Sequence, residues 1–311
     1  MNYLIIGAGG TGGAVAGYMG AAGKDVTVIA RGEHLKAIRE NGGLRVIRPK
    51  DEFHAPVKAC NMEEYEARRE DGSIAAPDVI FVCVKGYSID STIPFIRQVA
   101  DSHTIVIPIL NIYGTGAQMQ KSLPGILVTD GCIYVASEKK APGVILMSGL
   151  ILRVVFGVRE PEEYRPGLEE IRKDLEESGI TGILSDNIQR DALLKFSYVS
   201  PQGACGLYYG IPAGPMQKPG VYRDTFAELV HEIDLLAGAM GITFGEDIVD
   251  RNLKILDDLT PDMTTSMQKD IAAGHPSEID GLIYSVVRLA RQYGLDLPAY
   301  EKIAEKLQKT L

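Results

Sequence analysis

The chain has 311 residues, enough for two domains with separate cores, and its 45% hydrophobic and 23% charged residues are ordinary for a globular protein. A formal charge of −9 argues against nucleic acid or an anionic membrane as the main partner, though not against a local basic pocket for an anionic cofactor. No apolar run has spanning length, the four cysteines form no CxxC pair and the five histidines show no ligand spacing; a cytoplasmic chain with reduced thiols and no metal is expected.

In chain order, strands are predicted at 3–6, 25–29, 79–84, 104–110 and 126–129, with helices at 11–22, 34–41 and 89–100 between them. The strands are almost continuously apolar, as strands covered on both faces must be. From 131 to 157 three apolar runs (132–136, 144–147 and 151–156) have turns between them and no helices, which predicts an antiparallel extension of the sheet. A helix at 161–178 and a strand at 181–184 close this half. Helices follow at 187–200, 222–240, 246–256, 264–273, 278–293 and 299–307. The expected fold is α/β: a doubly wound N-terminal sheet domain over 1–185, then an all-α domain over 186–311, with the active site in the cleft across the boundary.

Gly7-Ala8-Gly9-Gly10-Thr11-Gly12 fits G-x-G-x-x-G. By itself the pattern is weak, but here it follows a strand, opens a helix and precedes a second strand, as a Rossmann-type dinucleotide site requires. Gly7 allows the tight turn, Gly9 lets the backbone approach a pyrophosphate, and Gly12 permits close helix–strand packing; the free N–H groups of the helix start, Gly10 and Thr11 among them, face the phosphates. The second strand ends in Val28-Ile29-Ala30-Arg31-Gly32. Arg31 stands where an NAD site places a carboxylate, and a guanidinium can bind a 2′-phosphate, so NADP(H) is the expected cofactor; the competing reading is a solvated surface arginine. Lys85, just past a buried strand, suits either the cofactor phosphates or a solvated loop. Asn111, past the next strand, suits the nicotinamide, a neighbouring catalytic group or a local turn.

In the first helix of the second half, Ile188, Ala192, Lys195 and Val199 share one stripe at about 3.6 residues per turn. A lysine there is either a desolvated proton donor or a snorkelling side chain with its amine in water. Further on, Ser266 lies near the start of a helix and Glu278 in the first turn of the next, where Ser277 and Asp280 also resemble a capping box.

Taken together, these features resemble the ketopantoate reductases (2-dehydropantoate 2-reductases) over nearly the whole length: the N-terminal GxGxxG, the arginine after the second strand, the VKGY-like segment at Lys85, the asparagine at 111, the Lys195 helix and the SMxxDI…SEID run of Ser266–Asp280. The resemblance implies NADPH-dependent reduction of ketopantoate to pantoate, for pantothenate and coenzyme A synthesis. It implies Lys195 as general acid, Glu278 holding the substrate hydroxyl or cofactor, Ser266 binding substrate, and Asn111 ordering the lysine and nicotinamide. Asparagines that the family carries four and eight residues after the lysine are replaced by Val199 and Gly203, and a further one by Ala213. A paralogous reductase of another 2-oxo acid is therefore one alternative, and a non-catalytic NADP(H)-binding sensor another. The partner expected is a small 2-oxo acid, with a homodimer as the candidate assembly and neither nucleic acid nor membrane.

Overall fold

A computed structural model describes residues 1–310. The chain divides into two compact units, Met1–Leu110 with Gly114–Ile188, and Asn111–Tyr113 with Gln189–Leu311. A tripeptide from the first half is therefore built into the second unit. Among the described residues no helix is long and apolar enough to cross a membrane.

The first unit contains strands β1 (Asn2–Ile6), β2 (Asp25–Ile29), β3 (Leu44–Ile47), β4 (Glu52–Ala55), β5 (Lys58–Cys60), β6 (Val79–Val82), β7 (Ile105–Pro108), β8 (Leu127–Val128), β9 (Asp130–Ala141), β10 (Val144–Gly157) and β11 (Thr181–Leu184). Its helices are α1 (Gly10–Ala21), α2 (Gly32–Glu40), α3 (Met62–Glu70), α4 (Ile89–Val99), α5 (Thr115–Ser122) and α6 (Gly167–Glu177). Six strands form a parallel sheet in the order β5-β2-β1-β6-β7-β8. Successive side chains of β1 serve opposite faces: Tyr3 and Ile5 join the core with α1 and α6, Leu4 and Ile6 the core with α3, α4 and α5.

The hairpin β9–β10 departs from expectation. It does not extend the parallel sheet but belongs to a second one, β11-β10-β3-β4 with β9 paired to β10. The reason lies in α1, where Gly10, Gly13, Gly17 and Gly20 make a side-chain-free stripe. A Cβ at these positions would fall 2.5 Å from the Ser137 carbonyl oxygen, 2.4 Å from Ile145, 2.5 Å from Val46 and 2.6 Å from the Pro56 carbonyl oxygen respectively. The second sheet thus lies directly on α1, with the first sheet on its other side. Alternation of apolar residues cannot reveal which sheet a strand joins; the glycine spacing could. The short strands β3, β4 and β5 carry no clear apolar pattern in the sequence, because charged residues interrupt them. The α6 helix is fixed to β1 by Tyr3, whose hydroxyl donates to Asp174 at 2.5 Å, and to the start of β2 by Lys24, whose Nζ donates to the other carboxylate oxygen at 2.7 Å.

The second unit is helical: α7 (Ile188–Tyr209), α8 (Ala213–Met216), α9 (Val221–Ala239), α10 (Ile248–Asp257), α11 (Ser266–Ala272), a π-helical turn (Asp280–Tyr284), α12 (Ser285–Gln292) and α13 (Pro298–Thr310). The α7 helix runs nine residues past its expected end at Ser200, straight through Pro201. Proline has no N–H for the carbonyl four residues back, which strands the Ser197 oxygen. Asn252 of α10, fully buried, repairs this: its Nδ2 donates to the Ser197 carbonyl at 3.0 Å and to Ser197 Oγ at 2.9 Å. Glu232, also buried, accepts the Ala299 and Tyr300 N–H groups at the start of α13. Burial raises its carboxyl above the usual range, against the lowering effect of those two bonds.

Candidate active site

The first unit supplies a cradle made of backbone. Gly7 leaves β1 with φ +98°, a left-handed value that disfavours any side chain, and its carbonyl oxygen would lie 2.0 Å from a Cβ on Gly12. Loop and helix therefore close on each other as the hexapeptide predicts. Gly9 is the opposite case, since a Cβ there would have no neighbour within 4 Å: the loop faces open space where a pyrophosphate would approach. The first α-helical bond runs from Gly13 N–H to the Gly9 carbonyl, so the preceding amides sit ahead of the ladder, and no acidic residue occupies the first turn. This cradle fits a dinucleotide.

Arg31 caps the N-terminal side of α2 in extended conformation and is exposed, directly after β2. Lys85 follows β6, partly buried, at the entry of a 3-10 turn spanning Gly86–Ser88. Cys83, two residues before it, touches the Gly7–Gly12 turn, which places Lys85 beside the glycine loop.

The second unit supplies a side-chain cluster. Lys195 is 8% exposed, and its Nζ donates to Asn111 Oδ1 at 2.6 Å. Of the two readings of this lysine, the snorkelling one is excluded: the amine is held by a partner inside the unit. The tripeptide Asn111–Tyr113 is anchored on both sides. Tyr113 packs on Phe196 with ring centroids 6.2 Å apart, and Ile112 covers Gly281, where a Cβ would come within 2.4 Å of it. Gly281 belongs to the turn that follows Glu278, so Asn111, Lys195 and the Glu278 turn converge. Glu278 is 6% exposed. Burying an ammonium or a carboxylate costs several kcal/mol (roughly) unless each has partners, so this is a polar site enclosed by protein.

The capping-box reading of Ser277 and Asp280 is not realised, because Asp280 instead makes a two-armed pair with Arg288 at 2.8 and 2.7 Å. The capping box lies one helix earlier, where Thr265 and Gln268 cap α11. Ser266 is the first residue of that helix and exposed, and its neighbour Met267 packs against Gly203 of α7, where a Cβ would meet the methionine methyl at 2.9 Å.

Three further groups, Asn252, Tyr300 and His34, carry no motif in the sequence. Asn252 supports α7 at Ser197, two residues past Lys195; its signal is a polar residue on the apolar stripe Ile248, Asn252, Leu256, the same signal that exposes Lys195. Ser200 and Tyr300 share a bond of 2.6 Å, and Ser200 Oγ also donates at 2.5 Å to the Leu282 carbonyl in the π-turn. Ser200 is therefore committed to structure. The third, His34 of the first unit, touches the glycine loop at Ala8.

Comparison with known proteins follows the same outline. The family model described as ketopantoate reductase PanE/ApbA matches residues 3–161, and that of its C-terminal domain matches 187–310. The uncharacterized oxidoreductase YkpB of Bacillus subtilis (strain 168) is 25% identical, covering 99% of this chain and 98% of its own. The crystal structure of 2-dehydropantoate 2-reductase from Porphyromonas gingivalis W83 superposes with a TM-score of 0.82 at 26% identity, over 99% of both chains. A D-mandelate dehydrogenase solved with NADH and anilino(oxo)acetate has the same fold, with a TM-score of 0.84 at 20% identity over 98% of this chain and 96% of its own.

Proposed function

The chain belongs to the ketopantoate reductase family, and from that premise we propose that it reduces the C2 ketone of a branched 2-oxo acid with NADPH, ketopantoate first among them, using Lys195 as general acid. It is an oxidoreductase of the 2-oxo acid-reducing type that uses NAD(P)H. The observation that carries the mechanism is the buried Lys195 ammonium held at 2.6 Å by Asn111.

When bound, NADPH supplies the hydride that goes to C2. The residues of the chain do the rest. The Gly7–Gly12 amides bind the pyrophosphate, and Arg31 binds the 2′-phosphate, with Lys85 beside the loop as a second cation. Lys195 faces the ketone oxygen, stabilises the charge that develops there and donates the Nζ proton that turns the alkoxide into the alcohol. Asn111 Oδ1 accepts from the same ammonium and fixes its direction. Glu278 and Ser266 hold the substrate.

A second reading is favoured by Gly203 and Val199. The space beyond Gly203 is filled by Met267, and Val199 offers no hydrogen bond, so neither can hold a substrate hydroxyl. A 2-oxo acid with a wholly apolar side chain suits such walls better. A panel of 2-oxo acids with and without a 4-hydroxyl, followed by NADPH consumption, tests both. Turnover of several members, with those lacking the hydroxyl equal to or better than ketopantoate, selects the second reading. A preference for ketopantoate by orders of magnitude selects the first, and no turnover of any member contradicts both.

A further inference from the structure

His34 lies in the first turn of α2, three residues after Arg31, and is 8% exposed. Both ring nitrogens are engaged. The Gly143 N–H donates to Nδ1 at 2.9 Å, and Nε2 lies 2.7 Å from the Ala8 carbonyl oxygen. A backbone N–H can only donate and a carbonyl can only accept, so the tautomer is determined: Nδ1 is bare and Nε2 carries the hydrogen. Burial, aided by the charge of Lys139 and opposed by the Ala8 bond, lowers the pKa of the ring and keeps it neutral.

Ala8 is the second residue of the glycine hexapeptide, and its carbonyl shares a peptide plane with the Gly9 N–H. In a trans peptide those two bonds point in opposite directions, and the chain contains no cis bond among its described residues. By drawing the Ala8 oxygen toward its ring, His34 turns the Gly9 N–H to the opposite side, away from the ring, in a residue whose Cβ would meet nothing within 4 Å. The other end of the ring grips Gly143, in the turn between β9 and β10. That turn is itself seated on α2, with a Gly143 Cβ 3.2 Å from Asn41 Nδ2 and 3.3 Å from Ala37 Cβ. The imidazole is thus a strut between the hairpin and the loop.

We propose that His34 is a positioning residue for the cofactor, aiming the Gly9 N–H at the pyrophosphate while its own helix presents Arg31 to the 2′-phosphate. This rests on the reading of Gly7–Gly12 as the pyrophosphate cradle. Because the pyrophosphate is common to NADPH and NADH, loss of the strut weakens both cofactors alike, whereas loss of Arg31 weakens NADPH alone.

The test is fluorescence titration of both cofactors on the full chain, with steady-state rates on a substrate that it turns over. His34→Phe keeps the bulk and removes both bonds; binding of NADPH and NADH should each weaken about tenfold, as for loss of one oriented hydrogen bond. The KM for NADPH should rise with it, while kcat at saturating cofactor stays within about twofold. A purely structural role would reduce the amount of active protein and leave these constants unchanged. His34→Gln, whose amide can still donate toward Ala8, should restore most of the affinity, and His34→Asn, too short to reach it, should not. This pair decides the matter if the phenylalanine variant does not fold. Wild-type affinity in His34→Phe, or equal affinity in the glutamine and asparagine variants, overturns the proposal. Gly9→Leu separates the two levels: abolished binding of both cofactors upholds the cradle whatever His34 does, and unchanged binding overturns the cradle itself and the proposal with it.

Discussion

In the first unit the proposed site is made of backbone, the loop Gly7–Gly12, whereas in the second it is made of the Lys195 amine and the Asn111 amide, side chains 84 residues apart in sequence. A backbone cradle depends on what is missing, since the turn leaves no room for a Cβ at Gly7 or Gly12. A side-chain cluster depends on what is present, and its parts must be carried to one place by the tertiary fold. The first kind of site recognises features common to many nucleotides. The second can be retuned one residue at a time, and at Val199 and Gly203 the polar side chains expected of the family are absent.

The comparison is broken most severely at Gly12. A Cβ there would lie 2.0 Å from the Gly7 oxygen and 2.9 Å from Cys83 Cβ, so Gly12→Val must open the loop or unfold the unit, at a cost above about 4 kcal/mol. Thermal unfolding and cofactor titration should both show it, and wild-type values in both would mean that the loop does not close as described. Next in size is Arg31→Ala, which should weaken NADPH about 10- to 100-fold and NADH little, because only the former loses a charge-assisted bond. Equal losses would remove Arg31 from the 2′-phosphate site.

The smallest expected effect concerns the support of the cradle rather than its contacts. Asp174 joins α6 to β1 through Tyr3 and to the start of β2 through Lys24. Burial pushes its carboxyl up, but the bonds from Lys24 and Tyr3 outweigh this and hold it below its ordinary value. A carboxylate with a depressed folded-state pKa stabilises the fold above its unfolded pKa and loses that contribution as the pH falls below about 4. Asp174→Asn should therefore cost about 1–2 kcal/mol near neutral pH, with wild type and variant converging in acid. A constant difference across that range would show that the pair carries no proton linkage.

These differences also mark what the sequence could disclose. The parallel strands were legible because burial on both faces leaves continuous apolar runs, and the glycine loop because its chemistry is local. Lys195 and Asn252 carry the same signal, a polar residue on an apolar stripe. The second sheet looks like an extension of the first in sequence because strand pairing is non-local, although the glycines at 10, 13, 17 and 20 record the close approach that separates them. The continuation of α7 through Pro201 could not be read at all, since the compensating donor, Asn252, lies in another helix. The membership of Asn111–Tyr113 in the second unit was hidden likewise: it rests on Phe196, Lys195 and Gly281, all distant in sequence.

The separation of cofactor binding from proton donation is tested most directly by Lys195→Ala, titrated with NADPH and assayed on the best 2-oxo acid found. The cradle lies in the other unit, so NADPH should bind with nearly wild-type affinity, while turnover falls about 10²–10⁴-fold, the usual scale for loss of a positioned acid. Lys195→Arg should recover little of that rate, because a guanidinium retains the charge but holds its proton. A variant that binds NADPH normally and turns over at the wild-type rate would show that the proton comes from elsewhere, and would contradict the assignment of Lys195.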